Sequence, residues 1–433
     1  MKRIININIG LLLFLAVCFS SCQKDYGNLN QPTIESYLDN ASAAQLNNLV
    51  TGTLSGMRIT EGLYLDDIGA ISREMYRFSG ADPRYVTDLL GAAALSNTGF
   101  YITNPWAARY RVVKNCNILL QAAGSSSLIS DAQRKGYSGF AKTMKAYELL
   151  LNLNLTYTNG IRVEVSDPLN LGPIVGYDEA LTAIAGLLDD AKTDLGGADV
   201  SFPLGSGFAG FSDAAGFTKV NRALAARVAV YRKQWSAALT DLNDSFLDLT
   251  GNFYTGVSEV FGTGSGDQLN PAFFVQNSNG EVRLAHPSYA QDIEPGDDRI
   301  SKATLRNSSA SSGGLTSDRD VWVYKSSTAP IPIIRNEELI LIYAEANIQL
   351  GNFDEAIDAI NTIRNGHGLP DYSNSEPNTN DLITEMLNQR RYSLFFEGHR
   401  WIDMRRYDRL SELPIDREGD EIWDKMPVPL TEQ

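Results

Sequence analysis

Residues 389–407 read Gln-Arg-Arg-Tyr-Ser-Leu-Phe-Phe-Glu-Gly-His-Arg-Trp-Ile-Asp-Met-Arg-Arg-Tyr. The first part carries the apolar spacing of a helix. That helix is expected to end at Glu397-Gly398, where glycine leaves helical geometry without steric cost. Glu397 stands among several arginines, and a carboxylate so placed pairs readily with a guanidinium. Trp401 and Ile402 then follow as bulky apolar residues that must be buried against other helices.

Those other helices are legible upstream. Residues 33–58, 107–123, 133–157, 177–195, 219–231, 236–249, 336–350, 354–365 and 381–396 all show helical apolar spacing. Segments 196–216, 261–270, 307–320 and 371–380 are rich in Gly, Ser, Asn and Asp and read as loops. Strand-like runs are few: 273–276, 321–325 and 161–165. The expected fold is mainly α, an irregular helical bundle with long loop insertions and small β-hairpins.

A degenerate repeat lies within the bundle. Gln349-Leu350-Gly351-Asn352-Phe353-Asp354-Glu355-Ala356 has the turn, the aromatic and the small residue of a tetratricopeptide helix pair. Arg232-Lys233-Gln234-Trp235-Ser236-Ala237-Ala238 repeats the pattern, as does Tyr177-Asp178-Glu179-Ala180. Trp235 and Phe353 are 118 residues apart, so this is no tandem array. Helix pairs pack together while insertions leave the bundle between them.

Composition narrows the function. The chain has 433 residues, 37 Lys+Arg against 52 Asp+Glu, and only 3 His, for a net charge of −15. Nucleic-acid binders concentrate basic residues on one face, which this balance disfavours. Lys2-Arg3 followed by the apolar stretch from Ile4 to Val17 is too short to span a bilayer and has the layout of a secretory signal. Ser20-Ser21-Cys22 resembles a lipobox, which makes Cys22 the expected lipidated residue; an ordinary cleaved signal is the alternative. Cys116 is then the one thiol left in the body and reads as a small core residue. Residues 1–21 are thus read as a cleaved signal peptide, 22–32 as a lipid-anchored tether and 33–433 as one domain. Gln23-Lys24-Asp25 resembles the charged signal that sends some Bacteroidota lipoproteins to the cell surface.

A search for chemistry is mostly negative. No phosphate loop, His-Glu-x-x-His, Gly-x-Ser-x-Gly or CxxC is present. The Gly262–Gly266 run precedes no evident helix, and 416–420 lacks the ligand order of a calcium loop. No catalytic residue, metal ligand or cofactor is assigned.

The 389–407 stretch closely resembles the C-terminal signature of the SusD/RagB family of outer-membrane nutrient-binding lipoproteins. Further landmarks follow in order: Trp106-Ala107-Ala108-Arg109-Tyr110 leading to Asn117, Asp297-Asp298-Arg299, Arg335–Ala346 with its Tyr343-Ala344-Glu345-Ala346, and Met426-Pro427-Val428-Pro429. Asn388-Gln389 departs from the glutamate often found there, and the chain is shorter than many members. The resemblance implies a structural signature in Arg391, Phe396, Glu397, Gly398, Arg400, Trp401 and Asp403, not a set of ligand contacts.

It also implies binding without catalysis: a cell-surface lipoprotein, lipid-anchored in the outer membrane and facing outward. Such proteins capture oligosaccharide, or peptide in some members, and deliver it to a SusC-like TonB-dependent β-barrel, acting as its lid. A surface glycoside hydrolase or a repeat scaffold is the remaining alternative. Ligand sites in the family draw on insertions, here around 60–106 and 250–330. Sugars need aromatic faces for their apolar sides and Asp, Asn or Arg for their hydroxyls. In the first insertion Asp67, Arg73, Tyr76, Arg77, Tyr85, Phe100 and Tyr101 stand in loop-like sequence; in the second Tyr289, Asp292 and Trp322 are candidates.

Overall fold

The computed structural model describes residues 34–432; Cys22 and the leader lie outside them. Thirteen helices of six or more residues dominate the described chain. The expected 33–58 helix is two helices, α1 (Ile34–Asn40) and α2 (Ala43–Met57). Ser42 interrupts them because its side chain accepts from the Gln45 amide while Gln45 reaches back, a reciprocal cap that starts a new helix. Next come α3 (Glu61–Ile71), α4 (Phe100–Ser125), α5 (Asp131–Thr156), α6 (Tyr177–Leu195), α7 (Ala214–Tyr231) and α8 (Trp235–Asn243). After α9 (Pro287–Asp292) the C-terminal part adds α10 (Asn336–Leu350), α11 (Phe353–Gly366), α12 (Thr379–Ser393) and α13 (Arg400–Arg406).

The helix pairs stack in sequence order. α4 packs on α5, α5 on α6, α6 on α7 and α7 on α8, and α10 closes the row against α7, α8, α11 and α12. All three repeat-like turns fall between packed helices. α5 is the axis: every residue from Thr143 to Thr156 is buried. A separate small core is formed by Leu341, Ile360, Ile363, Leu382 and Met386 of α10, α11 and α12.

The insertions hold the strands. β1 (Met75–Phe78), β5 (Val282–Ala285), β7 (Leu315–Val321) and β6 (Ala303–Ser312) form one antiparallel sheet in that order. β2 (Ile161–Arg162) pairs with β3 (Ile174–Val175), and β4 (Gly256–Glu259) with β8 (Ile331–Arg335). The 307–320 segment, expected as a loop, is most of the β6–β7 hairpin. Gly313 and Gly314 turn it with φ of 56° and 84°, the two-residue turn whose twist matches a hairpin. Asn307, Ser308, Ser309 and Ser311 face solvent, which gave the strands a loop's composition. Residues 273–276 form no strand, and only Val321 of 321–325 is in one.

The signature joins these parts. α12 ends at Ser393, earlier than expected, and the chain turns through 394–398 before α13. Gly398 sits at φ 81°, where an added Cβ would also come within 3.1 Å of the Tyr64 ring. Phe396 and Trp401 are fully buried. Asp403 accepts from Arg390 Nε at 2.6 Å and from Arg406 at 2.9 Å. Arg109, in the early landmark helix, lies buried between Glu61 at 2.7 Å and Glu148 at 3.3 Å.

Candidate ligand-binding site

Most of the expected ligand residues are inside the protein. Asp67 is in α3 with neither carboxylate oxygen hydrogen-bonded, and burial, then Asp66, raises its pKa well above the usual range. Arg73 is buried and donates to backbone carbonyls of Leu90, Ala70, Pro414 and Glu421. Tyr76 and Arg77 lie on β1: Tyr76 is buried beside His286, and Arg77 bonds the Phe78 carbonyl and pairs with Glu281. Tyr101 is fully buried in α4 with its hydroxyl on Asp88 at 2.9 Å. Tyr289 donates to the Arg299 carbonyl at 2.8 Å, its ring centroid 4.3 Å from that of Phe395. Tyr85 and Phe100 are half-buried edge to face at 5.0 Å, and Asp292 pairs with Arg391 at 2.9 Å.

Apart from Arg73, in the turn between α3 and β1, these positions are not loops. α3 is buried on nearly all sides, so it shows no amphipathic stripe that a periodicity search would find. The expectation that Tyr76 and Tyr101 are free to stack is therefore corrected: their ring faces are spent in packing.

Trp322 is the exception. It is half-buried just beyond β7, its ring centroid 6.0 Å from that of Phe273 and its amide bonded to the Lys302 carbonyl at 2.7 Å. With Tyr254 it lines a cavity of about 590 Å³, of the size that takes a small ligand. Tyr254 is 75% exposed, so a ring face remains available. The β4–β8 ribbon supplies Ser258 and Pro332, and Asp298, Lys302, Lys325 and His367 bring polar groups.

Charges in the wall are largely fixed. Arg335 grips Glu397 through two hydrogen bonds of 3.0 and 2.9 Å and also pairs with Glu337. Burial works to raise Glu337, but Arg335 and the hydrogen bond from His367 outweigh it and hold its carboxyl below the ordinary range. Lys302 donates to the Tyr392 and Ser393 carbonyls, and burial pushes its ammonium down to about 8. Asp298 keeps a side chain 66% exposed. Glu397, a signature residue, thus belongs to the cavity wall while its oxygens are engaged by Arg335.

Sequence reading missed Tyr254 and His367. Asp298 stood within the Asp297-Asp298-Arg299 landmark; Asp297 there binds Arg299 at 2.7 Å, which leaves Asp298 to face the cavity. A groove of about 330 Å³ beside α4 has Tyr110 in its lining, its hydroxyl already on the Arg162 carbonyl. A third cavity, of about 470 Å³, has buried Phe208 as its one aromatic.

Ser288, His286 and Asp416 line up at 2.8 Å per step, in the order of a hydrolase triad. Yet the Ser288 amide bonds the same ring nitrogen as a helix cap, and Arg391 also donates to the Ser288 hydroxyl at 2.8 Å. Among the described residues no group of three or more His, Cys, Asp or Glu is placed to hold a metal ion. Nor is any of their helices long and apolar enough to cross a membrane.

Comparison with known proteins agrees with this architecture. Residues 290–426, which hold the signature and much of the cavity wall, match the family model described as the SusD family. A SusD superfamily protein from Bacteroides vulgatus superposes with a TM-score of 0.69 at 16% identity, covering 90% of this chain and 96% of the other. The family match covers the C-terminal part of the chain, and the fold shared with these SusD-like structures extends over most of the rest. A SusD-like carbohydrate binding protein from Bacteroides vulgatus has a TM-score of 0.64 at 16% identity over 85% of this chain and 84% of its own. Surface glycan-binding protein A from Bacteroides uniformis gives 0.64 at 14% identity, with 86% and 90% covered. No curated protein matches the sequence. At these identities the structures share the SusD/RagB fold, and only local chemistry distinguishes their ligands.

Proposed function

We propose that the protein is a carbohydrate-binding lipoprotein of the outer surface that captures oligosaccharide in the cavity between Tyr254 and Trp322. It then passes the sugar to a SusC-like TonB-dependent barrel, which it covers as a lid. The observation that carries the binding half is an exposed aromatic face at Tyr254, with Trp322 beside it, in a cavity of about 590 Å³ that also presents Asp298 and Lys325. Aromatic faces take the apolar side of a sugar ring, and the polar groups take its hydroxyls. Two relatives of the same fold are described as carbohydrate- or glycan-binding, which supports the choice of ligand. The reading needs no catalytic group.

The transport half follows from the family and from the expected lipid on Cys22. Purification from the native membrane under mild detergent tests it. Co-isolation of a TonB-dependent barrel in stoichiometric amount is expected; isolation alone at every detergent concentration contradicts the lid.

A further inference from the structure

The cavity of about 470 Å³ shares the β4–β8 ribbon with the Tyr254–Trp322 cavity. Ile333 of β8 borders the first and its neighbour Pro332 the second, because successive strand residues point to opposite faces. Glu259, the last residue of β4, also lines the 470 Å³ cavity and is only 6% exposed. It stands opposite Ile331 in the ladder, which places its side chain on the Ile333 face. Neither of its carboxylate oxygens has a hydrogen-bond partner among the described residues. A buried carboxylate left in this way is costly unless a proton or a cation joins it.

The neighbouring arginines are already engaged. Arg109 donates to Glu61 at 2.7 Å, to Glu148 at 3.3 Å and to the Met57 carbonyl at 2.7 Å. Arg58 pairs with Asp267 at the rim and donates to the Val260 carbonyl at 2.7 Å. Three buried carboxylates, Glu61, Glu148 and Glu259, thus share the one guanidinium of Arg109. Burial, then Glu61, keeps the Glu259 carboxyl well above its usual range, although Arg109 opposes this.

The rest of the lining defines the missing cation. Thr51, Ser55, Gly205 and Gly207 keep the walls small, and Ser265 and Asp267 are exposed at the mouth. Phe208 is buried, so the cavity offers no free aromatic face for a neutral sugar ring. Among the described residues no group of three or more His, Cys, Asp or Glu is placed to hold a metal ion. An organic ammonium needs no such set, because its N–H groups donate directly to a single carboxylate.

We propose that this cavity is a second ligand site, which takes the ammonium group of a small amine such as an amino sugar, with Glu259 as its counter-ion. The site is separate from the Tyr254–Trp322 cavity and recognises charge where that cavity recognises ring faces.

Calorimetry of the full chain with D-glucosamine at about pH 6, where such an amine is charged, tests this. D-glucose and N-acetyl-D-glucosamine serve as uncharged counterparts. Glucosamine should bind and the two neutral sugars should not. Glu259→Gln removes the charge at nearly constant shape, so it should melt no earlier than wild type. Its glucosamine affinity should fall about ten- to a hundredfold, the worth of a hydrogen bond to a charged group. Thr51→Trp, at an exposed position of α2, leaves Glu259 in place and should block the cavity. Tyr254→Ala should keep full glucosamine affinity while weakening the binding of a panel of neutral malto-, xylo-, arabino- and manno-oligosaccharides. No glucosamine binding to the wild type, or equal binding of its neutral counterparts, overturns the proposal. So does glucosamine affinity that is unchanged in Glu259→Gln or Thr51→Trp, or lost in Tyr254→Ala.

Discussion

Arg335 at the end of β8 and Glu397 in the signature turn meet in a two-pronged ion pair, 3.0 and 2.9 Å, with both side chains nearly excluded from water. The pair ties the ribbon that walls the ligand cavity to the segment that closes the helical bundle. Glu397→Gln keeps the shape but removes the charge from one partner of Arg335, which retains Glu337. A loss of roughly 1.5–3 kcal/mol is expected, the range for a hydrogen bond to a charged group. Denaturant unfolding of the variant measures it, and unchanged stability would show the pair to be dispensable.

The signature aromatics should matter more. Phe396→Ala and Trp401→Ala each remove a fully buried ring, at a cost of roughly 3–5 kcal/mol. The thermal midpoint should drop steeply in both, before any effect on ligand can be read. Wild-type melting in either would mean that the segment does not carry the core.

Alkaline conditions should expose a third weak point. Burial raises the Glu74 carboxyl to about 8 despite partial relief from Arg400 and Arg391. The folded state therefore holds this proton more tightly than the unfolded chain, whose carboxyl titrates near 4.5. Stability from this group is present below that value and is lost as pH rises through about 8. Glu74→Gln, which cannot ionise, should shrink the fall in melting temperature between acidic and alkaline buffer. An equal fall in variant and wild type would place the alkaline sensitivity elsewhere.

Cys22 is expected to carry the lipid. Cys22→Ala should give a soluble protein or a retained precursor, followed by membrane fractionation and palmitate labelling. Continued labelling in the outer-membrane fraction would contradict the Ser-Ser-Cys reading.

How much was legible depended on which faces the residues present. The Gly351–Ala356 turn was readable because α10 and α11 are amphipathic or flanked by clear turn residues. α3 was not, because residues from Glu61 to Ile71 are buried nearly all round and leave no polar face to set a period. The β6–β7 hairpin was hidden by the solvent-facing Ser308, Ser309 and Ser311 of β6. At the site, Trp322 was found by its place ahead of the Tyr343-Ala344-Glu345-Ala346 helix. Tyr76, Tyr101 and Tyr289 look the same in sequence, and only packing shows that they face inward. Tyr254, Asp298 and His367 come from three separate segments, brought together by the β4–β8 ribbon and the end of α11.

The central claim is that sugar affinity resides in the Tyr254–Trp322 cavity and not on the helix pairs. Calorimetry of Tyr254→Ala and Trp322→Ala against the oligosaccharide panel, at low and moderate salt, tests it most directly. Each variant should lose roughly 1–3 kcal/mol, by analogy with base–aromatic stacking, or about ten- to a hundredfold in affinity. Tyr254→Ala should leave melting unaffected, and the wild-type affinity for a neutral sugar should be nearly independent of salt. Full affinity in both variants, or tight binding of a cationic peptide that collapses in moderate salt, would contradict it.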